Sequence, residues 1–92
     1  MKQYRVNLSD VETREEFYIR IIKGLKFPDW CGKNPDAIWD MLTGYMEHDA
    51  TVYIEGLNSL NAALENDVKI LYRILEEAVK LYEGKLKVEF IS

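Results

Sequence analysis

The stretch Asn34-Pro35-Asp36-Ala37-Ile38-Trp39-Asp40-Met41-Leu42-Thr43-Gly44 decides how this chain of 92 residues is read. It opens with the residue types a helix start favours. An asparagine oxygen accepts from amides left orphaned in the first turn, and proline at the first helical position has no amide to lose. An aspartate there faces the positive end of the helix dipole. Ala37, Ile38, Met41, Leu42 and Tyr45 then recur at helical spacing as one apolar, core-facing stripe. The other side presents Asp36, Trp39, Asp40 and Thr43, spaced i, i+3, i+4 and i+7. The helix is expected to run to about Thr43 and to stop at Gly44 in a left-handed conformation.

Upstream, Gln3 to Leu8 alternates polar residues with Tyr4, Val6 and Leu8, which predicts a strand. Thr13 is placed to cap a helix with Glu15 and Glu16 in its first turn. Phe17, Ile21, Ile22 and Leu25 form its buried side, and Gly24 lies near its end. Lys26 to Lys33 carries proline and glycine and reads as a loop. Downstream, Thr51 to Ile54 is a second short strand, and Gly56 to Ala63 a loop with a short helical turn. Asn66 or Asp67 is expected to cap a longer helix, with Val68, Leu71, Leu75, Ala78 and Tyr82 on one face and Ile70 and Ile74 beside them. Its outer side shows Arg73, Glu76, Glu77 and Lys80, Gly84 ends it, and Lys85 to Ile91 alternates as a third strand. Strands separated by helices require crossovers. The predicted fold is therefore α/β: a small three-stranded parallel sheet packed by helices, one domain over residues 1–92.

Composition narrows the functional classes. Sixteen acidic side chains against twelve basic ones give a net charge of −4, which argues against direct binding of nucleic acid. The imbalance is local. Residues 29–49 hold Asp29, Asp36, Asp40, Glu47 and Asp49 against Lys33 alone, and the rest of the chain balances. No apolar run reaches the ~18 residues of a membrane span. The N-terminus carries no apolar signal core. With Cys31 as the single cysteine, no intrachain disulfide can form, and a cytoplasmic location is expected. No catalytic motif, metal-ligand spacing or cofactor fingerprint stands out, so neither a metal nor a cofactor is expected. His48 reads as a solvated loop residue, and Cys31 as an inert, partly buried one.

Asp36 and Asp40, one turn apart, leave three readings open: a solvated helix face, a surface for a basic partner, or a carboxylate pair for acid–base or metal chemistry. The last needs a pocket to shift one carboxyl, and a protruding helix face does not obviously supply one. Trp39 on the same face and Trp30 in the preceding loop favour binding, since tryptophan is enriched at interface hot spots.

The segment from Phe27 to Glu47 resembles the signature of the barstar family. That signature is a proline–acid–aromatic loop, a glycine and a capping asparagine. An Asp-Ala-Leu-Trp-Asp helix follows, then Leu-Thr-Gly, an aromatic and an acid. The resemblance extends over nearly the whole chain, including Glu76-Glu77-Ala78 and the final Phe-Ile-Ser. It implies an inhibitor of basic, guanyl-preferring extracellular ribonucleases of the barnase type, monomeric when free and binding 1:1. By position, Asp40 would take the place of the scissile phosphate among the enzyme's cations, and Asp36 would pair with an arginine. Trp30 would pack on the catalytic histidine. Asn34, Trp39, Thr43 and Gly44 would complete the contact surface, and Glu77 would add an ion pair. The chain departs from the pattern at Pro35, Cys31 and Tyr45, where the family has leucine, an aromatic and tryptophan, and a last helix about two residues longer loosens the match of Glu83 to an acid the family has near that end. These departures bear on which ribonuclease is the target. The same acidic face would also suit another basic protein, such as a toxin.

Overall fold

A computed structural model describes residues 2–47 and 49–91; His48, read above as a loop residue, lies outside them. The elements run β1 (Lys2–Asn7), α1 (Arg14–Gly24), α2 (Pro35–Gly44), β2 (Ala50–Glu55), two 3₁₀ turns (Leu57–Ser59 and Ala62–Leu64), α3 (Glu65–Leu81) and β3 (Leu86–Ile91). All three strands are parallel in the order β1-β2-β3, so β2 is central. The α/β fold expected from the sequence is thus the fold observed.

Strand register explains which side the helices cover. Val6, Ile54 and Phe90 lie side by side across the sheet, as do Tyr4, Val52 and Val88. Val6, Val52, Ile54 and Leu86 are buried in one core with Phe17, Ile21, Ile38, Leu42, Leu71 and Leu75 from the three helices. The opposite face stays polar. There Arg5 stacks 5.7 Å over the Tyr53 ring and reaches Glu55 at 3.5 Å, while Lys87 and Glu89 are exposed. Two-residue alternation has therefore sorted the sheet into a covered face and a wet one.

Helix α1 begins as read, with Thr13 Oγ1 accepting from the Glu16 amide at 3.1 Å. At its other end Gly24 approaches β1 so closely that a Cβ there would lie 2.6 Å from the Arg5 carbonyl oxygen. Only a residue without a side chain lets the helix settle onto the strand.

The start of α3 differs from the sequence expectation. The helix begins at Glu65, following Leu64, and neither Asn66 nor Asp67 caps it. The capping chemistry lies upstream, where Asn61 Oδ1 accepts from the Ala63 amide at 2.9 Å and a 3₁₀ turn runs directly into α3. Asp67 instead points inward. Its Oδ1 accepts from Tyr18 Oη at 3.1 Å and from Arg14 Nε at 3.0 Å, and the residue is only 8% exposed. A carboxylate this buried needs partners, and two side chains of α1 supply them. The reading put the α3 stop at Gly84; the helix ends earlier, at Leu81, and Glu83 (φ 44°) and Gly84 (φ +90°) both lie in the left-handed turn that leads into β3.

Burial, assisted by the bond to Asp67, pushes the Tyr18 phenol up from 10.0 to about 12. Ionising it is harder in the folded protein than in the unfolded chain. The stabilisation is therefore fully present below pH 10.0 and is lost as pH rises through about 12. Denaturant unfolding across that window should show stability falling, and Tyr18→Phe should flatten that part of the profile. An unchanged slope in the variant would assign the loss to other groups.

Candidate functional site

Helix α2 owes its orientation to what it buries. Ile38, Met41 and Leu42 are buried and Ala37 half-buried, so the remaining side must face outward. Asn34 Oδ1 accepts from the Ala37 amide at 2.8 Å, which closes the first turn above Pro35. Gly32 leaves room for this cap, since a Cβ there would come within 2.9 Å of Asn34 Nδ2. With its oxygen engaged, Asn34 has its amide nitrogen left for a partner. The loop before it is tied to α1 by Lys33 and Glu15, 3.2 Å apart.

Two expectations for the end of α2 need correction. Gly44 is the last helical residue and is not left-handed; Tyr45 follows it with φ −114° and ψ −41°. Left-handed backbone is not needed there, because the Tyr45 and Met46 amides both bond back to the Met41 carbonyl. Tyr45 also leaves the core stripe. It is 56% exposed and meets Phe27 edge-on at 6.2 Å, while Met46 fills the buried position instead. The end is held from outside the helix, by Tyr82 Oη donating to the Thr43 carbonyl at 2.7 Å. The Thr43 hydroxyl bonds the Trp39 carbonyl at 2.8 Å, so it is largely spent on the helix itself.

The sequence-derived site residues fall into one region. Asp36 and Asp40 are exposed on the outward side of α2, with Trp39 between them half-buried and packed against the core. Glu77 reaches the same place from α3. Together with Pro35, Asp36, Trp39, Ile70, Arg73 and Ile74 it lines a shallow groove of about 300 Å³ between the two helices. Trp30 stands in the loop before α2, 76% exposed. The Cys31 thiol beside it is buried, more fully than the partly buried position expected, and burial pushes its pKa up. Arg73, Ile70 and Ile74 were not foreseen as part of this region. The i, i+4 spacing of Arg73 and Glu77 was the available signal, but the sequence does not say that α2 packs alongside them.

Charge in this region is left unneutralised. Of the seven ion pairs among the described residues, none involves Asp36, Asp40, Glu77 or Arg73. Nor do the described residues contain a group of three or more His, Cys, Asp or Glu side chains able to hold a metal ion. What the geometry offers is a convex acidic ridge with one exposed indole, one half-buried indole and a shallow apolar-floored groove. The scaffold that carries these features is a small parallel α/β fold. The chain belongs to the Barstar family, described as barstar (barnase inhibitor), whose profile matches residues 1–91. It is 26% identical over 88 residues to the Bacillus subtilis (strain 168) protein named "Putative ribonuclease inhibitor YrdF", covering 96% of this chain and 97% of that one.

The cap on α2 gives a direct test of how the ridge is positioned. Asn34→Ala should destabilise the protein by about 1 kcal/mol in denaturant titration. Asn34→Asp, which keeps an acceptor at the cap, should recover most of that loss.

Proposed function

We propose that this protein is a non-catalytic inhibitor of a basic, barnase-type ribonuclease, acting in the cytoplasm as a free monomer that binds its target 1:1. The observation that carries the reading is the ridge itself. Asp36 and Asp40 project one turn apart from a capped helix, Glu77 flanks them from α3, and no cation within the described residues pairs with any of the three. Family membership supports it.

A ribonuclease active site is a concave set of cations preorganised for phosphate. Carboxylates held on a rigid helix suit such a site as substrate mimics. Because they are already fixed outward, little ordering is needed on association. Asp40, at the middle of the ridge, takes the position of the phosphate under attack, and Asp36 pairs with an arginine at its border. Trp30 supplies a large apolar contact at low cost in rotamer freedom, and Trp39 forms the floor beneath the carboxylates. Asn34, Thr43 and Gly44 contribute edge contacts, and Glu77 extends the acidic surface onto α3. Arg73 breaks the acidic pattern inside the groove. A cognate enzyme then presents an acid or a carbonyl there.

The carboxylate pair is poorly placed for hydrolysis. Both groups are exposed, Asp36 at the rim of an open groove and Asp40 outside its lining, without the enclosure that raises a general acid.

Titration into a barnase-type ribonuclease turning over RNA should give stoichiometric inhibition. Asp40→Ala should weaken binding by about 2–5 kcal/mol, the range known for buried interfacial charge pairs, barnase with barstar among them. Equal inhibition by parent and variant would move the centre of the site away from Asp40. Loss of inhibition with neither protein unfolded would point to another basic partner.

Salt separates steering from docking. Raising ionic strength should slow association far more than it speeds dissociation, because the ridge acts at long range. A salt-independent association rate, measured by stopped flow, would rule out electrostatic steering.

A further inference from the structure

We propose that the outer edge of β3 is a self-association surface, on which a second copy of this chain docks antiparallel about a two-fold axis at Val88. The two ends of the sheet are not equivalent. At β1 the outer edge is covered. The Asn7 carbonyl accepts from Arg20 at 3.0 Å, and α1 lies so close at Gly24 that a Cβ would sit 2.6 Å from the Arg5 carbonyl. A two-fold on that edge would also set Arg5 against itself.

At β3 the situation is reversed. The Lys85 carbonyl accepts from the Ala50 amide at 2.9 Å, so Lys85, Lys87 and Glu89 direct their backbone groups to β2. Leu86, Val88 and Phe90 therefore direct theirs outward. None of these outward groups meets a hydrogen-bond partner among the described residues. A bare edge of this kind is a template for another strand.

The side chains say which strand fits. With Val88 on the axis, Val88 faces the partner's Val88 and Phe90 faces the partner's Leu86, all through hydrogen-bonded pairs. Lys87 then falls opposite the partner's Glu89, and Glu89 opposite the partner's Lys87, in the closer non-hydrogen-bonded positions. Both residues are exposed, and neither forms an ion pair within the protomer. The pattern Lys-Val-Glu is thus complementary to its own antiparallel copy.

Apolar surface adjoins the seam. Phe90 (44% exposed) and Tyr72 (43% exposed) pack with ring centroids 4.6 Å apart and planes tilted by 37°, and line a groove of about 310 Å³ with Val79 and Val88. The product is a six-stranded sheet with antiparallel strands at its centre. The seam is narrow beside a standard interface of roughly 1,600 Å², so the dilute protein is a monomer and the dimer forms at high concentration. It lies on the β3 side of α3, away from the α2–α3 groove, and does not depend on the proposed function.

Sedimentation equilibrium of the full chain up to about 1 mM should show a monomer–dimer equilibrium. Lys87→Glu and Glu89→Lys should each weaken it at least about tenfold, because each sets like charges opposite one another twice. The double exchange Lys87→Glu/Glu89→Lys should restore it. A general net-charge effect would instead move the two single variants in opposite directions. Concentration-dependent protection of the Val88 amide in NMR hydrogen exchange gives a second readout on the parent protein. A parent that stays monomeric with Val88 unprotected would overturn the proposal. So would a dimer that ignores the single reversals, or a folded double variant as weak as they are.

Discussion

Everything at the candidate site depends on one helix having no rotational freedom. Ile38, Met41 and Leu42 must be buried, and a helix that buries them cannot turn about its axis without exposing them to water. Asp36 and Asp40 are consequently outward, whatever they meet there. The Asn34 cap fixes where the helix begins, and the Tyr82 hydroxyl on the Thr43 carbonyl ties its last turn to α3. The carboxylates are thus positioned by apolar packing and two polar clamps, and by no interaction of their own.

The same logic assigns some of the other charged residues to structure. Asp67 is buried and pins α1 to α3 through Tyr18 and Arg14, while Glu15 and Lys33 tie the loop before α2 to α1. These acids are matched by cations, whereas the ridge acids are not. Exposed ion pairs contribute little to stability, so leaving the ridge unpaired costs the fold little. Its field then remains available to a partner.

Much of this was legible in the chain because it is local. Thr13 and Asn34 cap their helices as their residue types and neighbours indicate, and the alternation of β1 and β3 reads directly as strands. The misreadings share a cause. Gly44 looks like a left-handed stop, but the turn after it is closed by backbone bonds to Met41 that residue type does not encode. Tyr45 continues the apolar period by spacing, yet the helix ends at Gly44 and the next buried side chain is Met46, one residue later than the period suggests. Asp67 looks like a cap, and only the packing of α1 on α3 turns it inward. The groove containing Arg73, Ile70 and Ile74 belongs to the same class, since it exists only because α2 lies beside α3.

Sheet topology has a further consequence. A three-stranded parallel sheet has one protected centre and two edges, and here crossovers do not treat the edges alike. The first crossover lays α1 along β1 and brings Gly24 and Arg20 onto its outer carbonyls. The second lays α3 over β3 from the apolar face, covering Leu86 but leaving the strand's outward backbone and the Phe90 ring in reach of solvent. Among the described residues nothing bonds to that outward backbone, so its protection falls to the charges on the strand, and Lys87 with Glu89 gives no net repulsion against a copy of itself. An edge carrying two lysines would repel its own antiparallel copy; an edge carrying one of each sign attracts it. The acidic ridge and the β3 edge are thus left open for the same reason: α2 and α3 spend their apolar stripes on the core, and nothing else among the described residues covers what lies beside them.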